Sequence, residues 1–414
     1  MTTLPAFSSS PVRRRSLTRL FVRMPASVGV LLVYVAARVV TTGMFAVGTQ
    51  LSGPNSRFGV NAGIGDFVLA WDAQWYWYIA LHGYPTQLPL TPDGAVAENS
   101  WAFMPLYPWI AQIVGFPFGS WGVGAMIVSL VSGYVACLVM YRMMARKIGR
   151  TAALWSAVFL AAGPLGALFQ IGYAEALFMV FLLLALDGLI RRRYGRIYIL
   201  IPLMGFSRPG ELAFALLLGL VLVMRWLRRR SDPLHGREVA HFFALGALGV
   251  VVGFAWQIIA AVAAGRPDAY LATELAWRRN WIRGSAGDFF PFEGWITAAQ
   301  MWFRIWHLPQ WLGLVVLVLL VIAAVAMLLF GPRVRRLGPE IRLWSASYLL
   351  YLLAVFFPQS STLRLLFPLS PLWGALAIPR AKGFRWGVLV VCLILQWLWI
   401  YNVFAMGNTF WRVP

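Results

Sequence analysis

Apolar runs of membrane-spanning length recur along the chain, separated by short clusters of arginine. A spanning helix needs about 20 mainly apolar residues. Residues 26–47, 240–264, 311–330 and 386–405 meet that length, and one more span fits before the basic cluster at 142–150. Basic clusters at 13–23, 142–150, 191–196, 225–237, 333–342 and 380–385 mark the cytoplasmic side by the positive-inside rule. Between neighbouring clusters the chain crosses an even number of times. Residues 151–190 then form a hairpin, 197–224 two short spans broken at Ser207-Arg208-Pro209-Gly210, and 343–357 with 365–379 another hairpin. The sum predicts about 11 spans in an all-α polytopic membrane protein. Residues 104–118 are apolar but too short to cross, and predict a re-entrant or interfacial helix.

The predicted organisation is a basic cytoplasmic N-terminus (1–25), one transmembrane domain (26–405) with outer loops at 48–120 and 265–310, and an outer tail (406–414). Such a chain belongs in the plasma membrane as a multi-pass protein. No internal repeat is visible.

Composition narrows the class. The 414 residues are 60% hydrophobic and 12% charged, against roughly 25% charged in soluble domains. That excludes a soluble globular enzyme and a disordered chain. Thirty-five basic against 14 acidic residues give +21, a balance that in a soluble protein points to nucleic acid. Here the cations sit between apolar runs, so they orient the chain, and no nucleic-acid partner is expected. Cys137 and Cys392 both lie in apolar runs and make neither a disulfide framework nor a metal signature.

The candidate chemistry lies on the outer side. Trp71, Trp75, Tyr78 and His82 share one face at helical spacing, with Asp72 in the first turn. There Asp72 is either a helix-start acid or a reactive carboxylate, and Asp66 an ordinary loop carboxylate or its support. Glu175, Arg208, Glu211, Gln359 and Arg364 fall at the outer turns of successive hairpins. Ionisable groups beside apolar spans are costly and tend to be functional, although a Glu175–Arg208 or Glu175–Arg364 pair is an equally simple structural role. The second outer loop carries Arg266, Arg278, Arg279, Arg283 and Arg304 where few cations are expected. They suit phosphate or anionic lipid headgroups. An outward cavity with a carboxylate, arginines and aromatic walls suits a sugar carried on a lipid phosphate. No P-loop is visible and Asp66 and Asp72 make no D-x-D pair. No cofactor is implied with certainty, and a divalent cation stays an open alternative. A transporter or flippase of lipid-linked sugars shares these features, but would place its ionisable residues near the midplane and show repeats.

Five segments carry a resemblance. Trp71-Asp72 followed by Trp75-Tyr76, Ile79-Ala80 and Gly83-Tyr84-Pro85 resembles the signature of the PIG-V family of membrane mannosyltransferases. Ala102-Phe103-Met104-Pro105-Leu106-Tyr107-Pro108 resembles its A-F-F-P-L-Y-P segment, with Met104 where Phe is usual. Gly172-Tyr173-Ala174-Glu175-Ala176-Leu177-Phe178, Ser207-Arg208-Pro209-Gly210 and Arg364-Leu365-Leu366-Phe367-Pro368 are similar to three further segments, in the family's order. The Arg-rich, Lys-poor composition resembles an actinobacterial member.

The resemblance implies a GT-C glycosyltransferase bundle. Its donor would be a polyprenyl-phosphate sugar, usually mannose, and its acceptor a glycolipid or glycoprotein. It implies Asp72 as the catalytic base, with Asp66 and Glu175 in support. Arg208 and Arg364, then Arg278 and Arg279, would bind the donor phosphate. Trp71, Trp75, Tyr76, His82, Tyr107, Tyr173 and Gln359 would complete the substrate-binding walls.

Overall fold

The computed structural model describes residues 25–279, 281–282 and 289–407. The basic stretch before Pro25, Arg283 and most of the expected outer tail lie outside these. Among the described residues there is no β-strand, only an isolated bridge between Leu90 and Val96. The helices are α1 (Ala26–Gln50), α2 (Ile64–Val68), α3 (Asp72–His82), α4 (Leu106–Gly115), α5 (Trp121–Ile148), α6 (Arg150–Ala161), α7 (Glu175–Ile190), α8 (Ile197–Gly205) and α9 (Glu211–Leu227). There follow α10 (Gly236–Ala264), α11 (Ala269–Arg279), α12 (Glu293–Ile305), α13 (Gln310–Phe330), α14 (Pro332–Arg335), α15 (Pro339–Val355), α16 (Thr362–Leu365), α17 (Trp373–Ala377) and α18 (Lys382–Ile400). The chain is an all-α polytopic membrane protein.

Five helices among the described residues are long and apolar enough to cross a membrane: α1, α5, α10, α13 and α18 with its last turn. The other expected spans are shorter or interrupted. The first arm of the 151–190 hairpin is α6 plus a bend at 162–174, and the segment after Arg364 is split into α16, a 3-10 turn and α17. Glycine and proline account for these breaks: Gly163-Pro164 follows α6, and Pro368 and Pro371 lie within the second interruption. Proline removes a donor and clashes with the preceding turn.

A break within an apolar bundle leaves helix-end carbonyls without partners. Arg38 of α1 supplies them. Its guanidinium donates to the carbonyls of Ala161 and, at 2.5 Å, of Gly166, and to Gln170 Oε1 at 3.3 Å. Tyr34 and Phe169 flank it, with ring centroids 5.2 and 5.4 Å away.

The helices have two chemically distinct ends. At one, basic clusters are tied by ion pairs: Arg146–Asp187 at 2.5 Å, Lys147–Glu340 at 3.3 Å, Arg192–Asp232 at 2.7 Å and Arg225–Glu238 at 2.6 Å. At the other, α3, α7 and α9 begin, each with a carboxylate as its first residue: Asp72, Glu175 and Glu211. Negative charge is favourable there because the unpaired N–H groups make a helix start electropositive.

The short helix α4 spans ten residues, about 15 Å at 1.5 Å per residue. That is half of a hydrocarbon core of about 30 Å, in line with the re-entrant or interfacial expectation. It packs on α5 through glycine: a Cβ at Gly124 would lie 2.5 Å from the Gly115 amide nitrogen. Its outer face leaves Trp109 and Ile113 exposed.

Beside α16, an apolar groove of about 690 Å³ runs between α6, α13 and the split segment. Leu363, Leu366, Phe367, Met327, Gly331 and Trp373 are among its lining residues.

Candidate active site

Four residues from four parts of the chain meet where α3, α7 and α9 begin. Arg364 pairs with Asp72 and lies 3.4 Å from Glu175 Oε1 through its Nε. Arg208 lies 2.8 Å from the same Glu175 oxygen. Glu175, Arg208 and Arg364 are 2%, 7% and 8% exposed, so this is a buried network of two carboxylates and two guanidinium groups. The ring of Tyr173 sits under Arg364, 5.1 Å from centroid to guanidinium carbon. Both pairings that sequence offered as a structural role for Glu175 are present, sharing one oxygen.

Local chemistry positions each member. Arg208 precedes Pro209, which disfavours helix at Arg208. Gly210 has φ +153°, a conformation open mainly to glycine, and α9 restarts at Glu211. Tyr173 and Glu175 are delivered by the bend at 162–174, and the Gly172 N–H donates to the Val68 carbonyl at 2.9 Å. That bond fixes the bend against the segment leading to Asp72. Trp71, just before Asp72, has φ +54°, a conformation costing a non-glycine residue about 1–3 kcal/mol. It is held by an indole N–H donated to the Val403 carbonyl at 3.0 Å and by Arg57 over its ring at 4.4 Å.

Several expected site residues sit outside this network. Trp71 caps α3 rather than joining its aromatic stripe, and its indole N–H is committed to the last helix. Asp66 is exposed in the first turn of α2 and accepts from the Gly63 N–H at 2.8 Å, apart from the network. Tyr107 is fully buried; its hydroxyl lies 3.0 Å from the Ala125 carbonyl and 2.9 Å from Ser129 Oγ. Arg278 pairs with Glu293 at 3.3 Å and faces the Phe357 ring, and Arg279 donates to the Val96 carbonyl. These two arginines bind parts of the chain itself and do not join the Asp72 network. His82 is exposed at the far end of α3, against Tyr78. Gln359 accepts from the Thr362 N–H and hydroxyl through its backbone carbonyl, shaping the turn before Arg364. Tyr76 is buried with edge contacts to Phe103 and Tyr107, and Trp75 stacks on Phe103 at 5.8 Å.

Sequence reading singled out Glu211 but not Tyr270 and Glu274. Tyr270 and Glu274 are one turn apart on α11. Burial pushes the Glu274 carboxyl up to about 7; the hydrogen bond from Tyr270 opposes the shift and the negative charge of Asp72 adds to it. Glu211 is 4% exposed and its Oε1 has no hydrogen-bond partner among the described residues. Tyr-x-x-x-Glu at helical spacing was the one available signal for the α11 pair. Among the described residues no group of three or more His, Cys, Asp or Glu side chains is arranged to hold a metal ion.

The fold and this network define a polytopic membrane protein with a charged, partly aromatic site at one end of its helices. No family model and no curated protein matches the chain. Solved structures similar to it include that of ArnT from Cupriavidus metallidurans bound to undecaprenyl phosphate, at 16% identity and TM-score 0.46. That match covers 89% of this chain and 63% of the other. An Archaeoglobus fulgidus oligosaccharyltransferase complex with Zn and sulfate is 14% identical at TM-score 0.40, covering 87% and 53%. Archaeal oligosaccharyltransferase AglB from the same organism, in complex with an inhibitory peptide and a dolichol-phosphate, is 15% identical at TM-score 0.40, covering 91% and 56%. The chain thus spans about half to less than two thirds of the length of these proteins.

Proposed function

We propose that this chain is a GT-C membrane glycosyltransferase that moves a sugar, mannose by the resemblance of its motifs, from a polyprenyl phosphate to a lipid or protein acceptor. The site would face outward, with the basic helix ends in the cytoplasm. The observation that carries the reading is the buried Asp72–Arg364–Glu175–Arg208 network, drawn from four of the five segments that carry the resemblance. The adjoining apolar groove gives a lipid chain a place beside Arg364.

The reaction is a single in-line displacement. The acceptor hydroxyl oxygen attacks the anomeric carbon and its proton passes to Asp72. The bond from that carbon to the phosphate oxygen breaks, and polyprenyl phosphate leaves with the electron pair. Without substrate, Arg364 pairs with Asp72 and occupies one of its carboxylate oxygens. A donor phosphate offers both arginines a bidentate partner. It draws Arg364 away from Asp72 and frees the base only when the leaving group is in place. A β-linked donor yields an α-linked product.

The test is transfer of radiolabel from polyprenyl-phosphate mannose to lipid or protein in membranes carrying the full chain. Removing a general base costs about 10²–10⁴-fold, so Asp72→Asn should fold and lose transfer by that factor. Wild-type turnover in purified Asp72→Asn would overturn the assignment. Label that crosses the bilayer without forming a new bond would replace the enzyme with a transporter.

A further inference from the structure

Arg364 is paired by two carboxylates, but its reach depends on the turn that carries it. It stands on α16, just beyond a segment that leaves α15 at Val355 and contains Pro358. The last carbonyls of a helix have no partner within it, and Pro358 brings no N–H of its own. The segment is nevertheless buried at Phe357, Pro358, Ser360 and Ser361, so its carbonyls need donors from elsewhere.

The helix α12 supplies them. The Trp295 indole N–H donates to the Leu352 carbonyl at 2.8 Å, and that of Trp302 to the Pro358 carbonyl at 3.1 Å. These two residues stand about two turns apart, on one face of α12. The Phe292 N–H donates to the Ala354 carbonyl at 3.0 Å. Gly294 permits the close approach: a Cβ there would lie 2.6 Å from the Phe356 carbonyl oxygen. Arg278 adds a further tie, pairing with Glu293 at the start of α12 and facing the Phe357 ring at 5.3 Å. α12 is braced in turn on α13, where a Cβ at Gly313 would meet the Ala299 carbonyl. The contacts thus run from the end of α15 to Pro358. The next residue, Gln359, accepts the Thr362 N–H at 3.0 Å and opens the turn that holds Arg364.

We propose that Trp302 and Trp295 are positioning residues that fix the turn from which Arg364 reaches the donor phosphate, and so set the affinity for it. This rests on the function proposed above, in which that phosphate lies with Arg208 and Arg364. A binding group works only while the residues behind it hold its geometry. The atom at issue is one indole N–H in each case, and phenylalanine removes it while keeping an aromatic ring.

The experiment is calorimetry of farnesyl phosphate binding to the full chain in nanodiscs, with thermal midpoints recorded alongside. Trp302→Phe should weaken binding about tenfold, the scale of one hydrogen bond to a charged group, and Trp295→Phe about threefold on the same scale. Trp256→Phe is the control. It loses a bond of the same kind, from the indole to the Trp101 carbonyl at 2.9 Å, between other elements. It should lower the midpoint similarly and leave farnesyl phosphate affinity within about twofold. In an Arg364→Gln background, Trp302→Phe should cost no further affinity, because the residue it positions is gone. Unchanged affinity in both α12 variants overturns the proposal. So does equal weakening by Trp256→Phe, full additivity in the Arg364→Gln background, or no saturable binding by the wild-type chain. Trp295→Phe keeps the question answerable if Trp302→Phe does not fold. Binding that depends on Trp302 in a chain that transfers no label would keep the positioning role and remove the reaction.

Discussion

Two arginines are buried to nearly the same degree, Arg38 at 6% and Arg364 at 8% exposed, yet their surroundings are opposite. Arg38 is held by backbone carbonyls and an amide, between two aromatic rings, with no carboxylate partner among the described residues. Arg364 is held by two carboxylates and the face of Tyr173. The carbonyls around Arg38 belong to a helix end and cannot leave without unfolding it. The carboxylates around Arg364 can be exchanged for another anion while the helices stay in place. Burial alone therefore does not mark a functional arginine; the replaceability of its partners does.

Substitutions can break this comparison. The largest effect is expected at Arg364. Arg364→Lys keeps the charge but loses the planar fork of donors, and should lower label transfer by about 10²–10³-fold, the scale of a lost transition-state donor. Transfer within a few fold of wild type would show that the network is structural after all. Arg38→Met should act the other way. It orphans several buried acceptors, each worth about 1–3 kcal/mol, so the thermal midpoint should fall markedly while turnover per folded molecule stays within about tenfold. Normal stability with abolished transfer would reverse the two roles.

A smaller effect is expected at Glu274. Its carboxyl ordinarily titrates near 4.5 and is raised to about 7 in the fold. The folded chain then binds more protons than the unfolded one between those values, so this residue lowers stability as pH rises from about 4.5 to 7. Glu274→Gln should flatten that part of the thermal-midpoint profile and be more stable than wild type at pH 8. An unchanged slope would mean that Glu274 is ionised and solvated throughout. The smallest effect is expected at Asp66. Asp66→Ala removes a helix cap and should cost about 0.5–2 kcal/mol with transfer within about twofold. A large loss of transfer would restore it as a support for Asp72.

Much of this was legible in the sequence because contrast is informative. Asp72, Glu175, Arg208 and Arg364 stand out against apolar surroundings, and alternating basic clusters place them together at one end of the helices. Contrast fails inside a polar loop. Arg278 and Arg279 looked like phosphate ligands because charge does not say whether its partner is another part of the chain; here Glu293, Phe357 and the Val96 carbonyl fill that role. Tyr270 and Glu274 lay in the same loop with only their helical spacing to set them apart. Arg38 was visible as a charge within an apolar run, but its role depends on a helix break about 125 residues further along, which hydropathy does not locate. Tyr107 shows the opposite case: an aromatic with a polar tip suits a binding wall by sequence, and in the fold Ser129 and the Ala125 carbonyl lie against that tip.

The groove beside Arg364 opens sideways, among residues such as Leu363, Met327 and Leu376 that are exposed on the apolar flank of the bundle. A substrate arriving by that route is counted per lipid rather than per litre. Diluting the vesicles in buffer would leave its local abundance unchanged, whereas adding inert lipid to the same bilayer would lower it. For such a donor, saturation is governed by mole fraction in a two-dimensional solvent, and the membrane itself sets the working concentration.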